Sequence, residues 1–300
     1  MVLKGDHGFF TWLVILTIAW LELIILWRIL YSEILYSDKQ CEKASCFKGK
    51  DHQFAHSGGL SDSARPIDIA LWHNWNNLGA CKNLKFFGGR IWRGAVKYRE
   101  NMNGHKAVCL DGNIRPVPGN CLVYSFGVKN DWSFEDAMMK YGCEVYGFDP
   151  SIIEPKQTGV RKFIFYKIGL QGKDEVNKRG WEMKSLRSIM KLLGHENRII
   201  DVLKMDIEES EYEAIPNMID TGVTEQIKQI ALETHNFSMD EKDRERYHFK
   251  YKQMWKLEKH GFVRFNSQAA MGTARLNHIA NISDFYCYEI AWYNPKYYFV

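Results

Sequence analysis

The punctuation between residues 121 and 235 constrains the fold more than any other feature of this chain. Five short apolar runs, "CLVYSF" (121–126), "CEVYGF" (143–148), "KFIFYKI" (162–168), "IIDVLKMDI" (199–207) and "IKQIALETH" (227–235), are separated by longer stretches. Runs of this length, rich in Val, Ile, Phe and Tyr, read as strands covered on both faces. Helices are predicted over 131–141, 182–194 and 209–220, with Asp131 placed to cap the first. Strands alternating with helices build a doubly wound parallel sheet. An amphipathic stretch at 240–260 then precedes "FVRFNSQ" (262–268) and "FYCYEIAWYN" (285–294), which can pair as a hairpin. The predicted fold is α/β: a seven-stranded, mostly parallel sheet with helices on both faces.

In such sheets ligands bind beyond the carboxyl ends of the strands, at the point where strand order reverses. The first strand therefore offers Ser125, Phe126, Gly127 and Val128, and the second ends in Asp149 and Pro150. A carboxylate at that place can accept both hydroxyl hydrogens of a ribose. A dinucleotide needs its pyrophosphate on a G-x-G-x-x-G turn. Here the turn from Gly127 to Asp131 has one glycine and an aspartate that repels phosphate. A ligand with a ribose and no phosphate fits better, and S-adenosylmethionine is such a ligand.

The segments "VYSFGVKNDWSFEDAMMKYGCEVYGFDPS" and "VLKMDIEESEYEAI" (202–215) together resemble the methyltransferase-like protein 24 family, itself similar to FkbM-type methyltransferases. The resemblance covers about residues 105 to 295. It implies the Rossmann-like class I methyltransferase fold, in which the last two strands break the parallel order. It also implies S-adenosylmethionine lying across Ser125 to Val128, with Asp149 and Pro150 at the ribose, Gly169 and Leu170 beside the adenine, and Asp206 closing the methionine side. Two positions depart from the family pattern. Lys129 stands where a second glycine is common, and Glu209 replaces the glycine of a "DIEGSE" turn. Either side chain could intrude on the pocket or demand a positive φ. These departures support an alternative, a catalytically inactive relative serving as a binding or structural module.

A sulfonium methyl group is already activated, so the protein must mainly align an acceptor, with a base needed only for an alcohol. The candidates are Asp206 and Glu208 after the fourth strand and Glu233 and His235 after the fifth. Asp206, Glu208 and His235 are expected to carry the chemistry, His235 as a base near neutral pH. A carboxylate set such as Asp206 and Glu233 could instead hold a hard cation against an acceptor oxygen. The expected acceptor is a glycan or a small molecule.

Residues 9–31, "FFTWLVILTIAWLELIILWRILY", are long enough to cross a bilayer. Glu22 costs about 3 kcal/mol inside hydrocarbon, and Leu, Ile, Val and Phe side chains return about 0.3–0.6 kcal/mol each. With fourteen such side chains in the run, insertion wins. A stem over 32–66, a cap over 67–110 and the methyltransferase-like domain over 111–300 follow. Arg28, Lys39 and Lys43 after the span outweigh Lys4 before it, which favours a cytosolic domain. The cysteines and the sequons at Asn236 and Asn281 favour a lumenal one. The expectation is a single-pass protein of the endoplasmic reticulum or Golgi with a lumenal domain. A net charge of +4 without a basic stripe argues against nucleic-acid binding. No cysteine spacing suits zinc. Cys109 and Cys121 flank a turn-rich segment and could form a bridge; Cys143 is the rival partner for Cys121, and free thiols are the third possibility. Cys41 and Cys46 could close a small loop.

Overall fold

The structure, a computed structural model, describes residues 64–77, 79–92, 101–152, 164–236, 240–270 and 274–298. The expected membrane anchor, all but the end of the stem, and Cys41 and Cys46 lie outside these residues. Among the described residues no helix is long and apolar enough to cross a membrane.

Helix α1 (Pro66–Asn74) leads into four short strands, β1 (Leu84–Phe87), β2 (Arg90–Trp92), β3 (Asn101–Asn103) and β4 (Lys106–Cys109). The main domain begins with β5 (Leu122–Phe126), α2 (Ser133–Tyr141), β6 (Glu144–Phe148) and β7 (Ile164–Tyr166). Three small strands follow, β8 (Gly169–Leu170), β9 (Glu175–Val176) and β10 (Glu182–Lys184), and then α3 (Leu186–Leu192). The second half comprises β11 (Ile200–Met205), α4 (Glu211–Asp220), β12 (Ile227–His235), α5 (Arg244–Lys259), β13 (Val263–Ala269), the hairpin β14 (Ala274–Asn277) and β15 (Ile282–Phe285), and β16 (Cys287–Tyr293).

All seven expected strands meet in one sheet, in the order β7-β6-β5-β11-β12-β16-β13. Only β16 runs against the others, antiparallel to β12 and to β13. The expectation that both last strands break the parallel order is corrected on this point. Helix α5 carries the chain back along the sheet before β13, so β13 points the same way as the first five strands, and β16 inserts between β12 and β13. The order reverses between β5 and β11, and that reversal fixes the position of the ligand site.

Alternation along each strand separates two faces. Tyr124, Phe126, Leu203, Met205, Ile230 and Trp292 pack with residues of α3, α4 and α5 in the larger core. On the opposite face Val123, Val145 and Val202 pack against Phe134 and Met138 of α2. Beyond α2, toward β12 and β16, this second face is covered by strands instead of a helix, with Ala107 and Cys109 of β4 against Ala291 and Tyr293. Gln229 anchors β4 there, accepting from Cys109 N and donating to Cys109 O, both at 2.8 Å. The expected cap is thus split between the faces. Helix α1 joins the larger core through Ile69 and Trp72. Its carboxyl end runs along β13, where Arg264 donates to Trp72 O and Asn76 to Ser267 O.

Two disulfides connect Cys81 to Cys109 and Cys121 to Cys143. The Cys109–Cys121 bridge is therefore corrected in favour of the rival partner for Cys121. Register explains both pairs. Leu122 pairs with Glu144, so the preceding Cys121 and Cys143 begin adjacent strands, 4.7 Å apart at Cα. Leu84 pairs with Cys109, which brings Cys81 within 5.9 Å of it. The expected helix at 182–194 starts late, because residues 182–184 are β10 and Ser185 caps α3 by accepting from Ser188 N.

Candidate functional site

The chain leaves β5 through Gly127, whose φ is 77°. A Cβ at this position would lie 1.7 Å from the carbonyl oxygen of Asp206, so only glycine lets the loops after β5 and β11 approach this closely. Gly127 N donates to Phe148 O at 2.9 Å and Asp206 N to Phe126 O at 3.1 Å, which ties three strand ends together. Lys204, buried in β11, donates from Nζ to Gly127 O at 2.7 Å. Glu135 of α2 is fully buried and accepts a hydrogen bond from Ser125 Oγ. Burial pushes the Glu135 carboxyl up, against the opposing charge of Lys204. Neither Glu135 nor Lys204 was among the expected site residues. The available signal was a lysine inside an otherwise apolar strand, since such a residue is rarely buried without a partner.

Asp149 ends β6 and is buried. Its Oδ2 accepts from Lys129 N at 2.8 Å; its Oδ1 accepts from Ser151 N at 2.8 Å and from Ser151 Oγ at 2.5 Å. A carboxylate offers about four lone-pair directions, so one remains and the Ser151 hydroxyl can yield a second. That is the acceptor capacity a ribose diol requires, and the loop fits a ligand carrying one.

The structure answers both departures. Lys129 and Glu209 have φ of 47° and 80°, as the missing glycines imply, and Glu208 between the site and Glu209 has 54°. Each side chain turns to an opposite charge. Lys129 pairs with Glu208, joining the loops after β5 and β11, and Glu209 pairs with Arg246 and Lys250 of α5.

The expected catalytic residues come together. His235 Nε2 lies 3.5 Å from Asp206 Oδ1 and 4.0 Å from Glu208 Oε2, and its Nδ1 lies 3.0 Å from Glu211 Oε1. Burial alone would lower the imidazole, but the Glu211 hydrogen bond and the charges of Glu211, Asp206 and Glu233 push it up to about 9. At neutral pH the ring is an imidazolium, so the structure does not supply the base expected at His235. Asp206 stays ionised: burial raises it, but Lys106, Lys204 and His235 hold it below the ordinary carboxylate range. Glu233, hydrogen-bonded to Asp206, is raised by burial and by that neighbour. Lys106, a second lysine absent from the expectations, reaches from β4 to Glu289 at 2.5 and 2.6 Å and to Glu233 at 3.6 Å. Burial pushes Glu289 up to about 8, with Glu233 and Asp206 adding to it and Lys106 opposing. One buried lysine thus faces three acids, and the cluster keeps a proton that separate carboxyls would lose.

The remaining candidates lie in the frame of the site. Phe126 stacks on Phe148 with ring centroids 4.4 Å apart, and Val128 is buried beside α2. Gly169 backs onto Pro150 and Met183, and Leu170 is buried in the larger core. Ser125, Phe126, Val128 and Leu170 thus have buried side chains and would meet a ligand through their backbone. Among the described residues three donor sets have all their ligand atoms within 4.8 Å; one, Cys81, Cys109 and Asp111, has its two thiols joined in a disulfide, and the two at this site are Asp206, Glu208 and His235, and Glu233, His235 and Cys287. The expected Asp206 and Glu233 are divided between them.

The profile of a family described as a methyltransferase domain matches residues 93–285, about two thirds of the chain. Probable methyltransferase-like protein 24 of Homo sapiens is 30% identical over 207 residues, 63% of this chain and 56% of that protein. Its counterpart from Rattus norvegicus is 29% identical over 206 residues, again 63% and 56% of the two chains. The match thus spans little more than half the length of these curated relatives. The matched region holds the switch-point glycine, the β6 aspartate and the β11 and β12 acids, and the chain belongs to this methyltransferase-domain family.

Proposed function

We propose that this protein transfers a methyl group from S-adenosylmethionine to a hydroxyl of a glycan or small molecule. The observation that carries the reading is the meeting of Gly127 and Asp149 at the sheet's switch point, with Lys129 N donating to the Asp149 carboxylate at 2.8 Å. When bound, the sulfonium supplies an activated methyl group. Asp149 would hold the ribose hydroxyls, and the Gly127 loop, fixed by Lys204, would present its backbone to the ligand. His235 as an imidazolium would orient Asp206, and Asp206 would accept a hydrogen bond from the acceptor hydroxyl. Asp206, held ionised by Lys106, Lys204 and His235, would then take up the proton, while Glu233 keeps the hydrogen bond it shares with Asp206. The inactive alternative rested on Lys129 and Glu209. Both have an ion-pair partner and the backbone conformation their positions require, so neither departure demands it.

The proposed setting is the secretory lumen, with residues 9–31 as a membrane anchor. Two disulfides support an oxidising compartment. Asn281 is exposed at the tip of the β14–β15 hairpin, whereas Asn236 is buried, so Asn281 is the sequon to test. Full-length protein from animal cells, given methyl-labelled S-adenosylmethionine and fractionated glycans and metabolites, should label a hydroxyl-bearing acceptor. Absence of label in every fraction, with the ligand demonstrably bound, would favour the inactive alternative. A glycosidase mass shift lost in Asn281→Gln tests the orientation.

A further inference from the structure

We propose that Asp206, Glu208 and His235 bind one divalent cation at the carboxyl ends of β11 and β12. A carboxylate oxygen from each acid and one imidazole nitrogen lie within 4.8 Å of one another, so small rotations would bring them onto a common ion. Imidazole suits Zn2+ and carboxylates suit Mn2+, and this mixed set can take either.

Two observations go beyond the donor set. The first is the orientation of His235. Glu211 Oε1 holds Nδ1 at 3.0 Å, which directs Nε2 toward Asp206 and Glu208. A carboxylate behind the imidazole is the usual outer partner of a metal-bound histidine. The second is Glu211 itself, whose side chain is fully buried and whose Oε2 has no hydrogen-bond donor among the described residues. A buried carboxylate oxygen without a donor is costly unless strong positive charge lies nearby. A dication across the imidazole supplies such a charge.

Binding is balanced simply. The ion replaces the Nε2 proton, which leaves to solvent, and Lys129, whose side chain is 63% exposed, releases Glu208 and swings outward. The role of the ion rests on the methyltransferase reading: it would hold the acceptor oxygen beside Asp206.

The test uses the full-length chain in detergent micelles. Mn2+ binding is followed by loss of the free-ion electron paramagnetic resonance signal, and Zn2+ binding by competition with a chelating dye. One equivalent of either ion should bind per chain, at least tenfold more weakly in Asp206→Asn and in Glu208→Gln. Glu208 lies on the loop surface, so Glu208→Gln should melt like the parent and remain informative if Asp206→Asn misfolds. Stoichiometric binding of neither ion, or parental affinity in Glu208→Gln, overturns the site. S-adenosylhomocysteine binding in the same samples without added metal separates the two readings. Nucleoside binding without metal binding removes only the cation site, and metal binding without nucleoside binding removes only the methyl-donor reading.

Discussion

Lys204 Nζ donates to the carbonyl oxygen of Gly127 at 2.7 Å, and this bond fixes the loop through which the chain leaves β5. A lysine in the middle of a buried strand is costly unless its charge is used. Here it serves the Gly127 carbonyl and lies close enough to oppose the raised pKa of the buried Glu135. Lys204→Met should destabilise the domain by about 2 kcal/mol, the range for hydrogen bonds to charged groups. It should also weaken S-adenosylhomocysteine binding. Urea denaturation and calorimetry on the same samples check the two effects.

Two glycines separate backbone strain from steric contact. Gly127 and Gly222 have φ of 77° and 72°, but a Cβ on Gly222 meets nothing within 4 Å. Gly222→Ala should cost about 1 kcal/mol, the conformational term alone. Gly127→Ala adds a contact of 1.7 Å with Asp206 backbone and should cost more than about 3 kcal/mol or prevent folding. Equal midpoints in parallel urea titrations would contradict the close approach of the two loops.

The acids around Lys106 predict a pH dependence. Glu289 is raised from 4.5 to about 8, so between those values the folded protein binds more protons than the unfolded chain. Stability from this group is full below pH 4.5 and is lost as pH rises through 8, with a slope of about 1.4 kcal/mol per pH unit for one proton. Charged groups facing it are Lys106, Glu233 and Asp206. Glu289→Gln mimics the protonated carboxyl and should flatten the slope between pH 6 and 8 by most of one proton. Urea midpoints across that range measure it.

The disulfides should stabilise the domain. In the chain-entropy model a loop of about 23 residues contributes about 3 kcal/mol, and Cys121 and Cys143 lie 22 positions apart. The double variant Cys121→Ser with Cys143→Ser should lose about that much stability in urea. Non-reduced peptide mapping should recover Cys81 with Cys109 and Cys121 with Cys143.

The sheet was legible because each of its seven strands is a short apolar run bounded by a helix or a turn. Gly127, Asp149, Asp206 and His235 were legible for a related reason, since a parallel sheet sends the ends of its strands to one edge. Other features depend on register, which a single sequence does not display. Cys121 meets Cys143 because Leu122 pairs with Glu144. Lys106 meets Glu289 because β4, instead of a helix, covers the face of β12 and β16. The protonation of His235 depends on Glu211, a residue that reads in sequence as an ordinary acidic helix start.

In the proposed function the Gly127 loop and Asp149 hold the nucleoside of a methyl donor. Isothermal calorimetry of the full-length chain with S-adenosylmethionine and S-adenosylhomocysteine, repeated with Asp149→Ala, tests it most directly. Loss of a charge-assisted contact of about 1.5–3 kcal/mol predicts binding roughly 10- to 150-fold weaker in the variant. No heat with either ligand at millimolar concentration, or equal affinity in the parent and Asp149→Ala, would contradict the account.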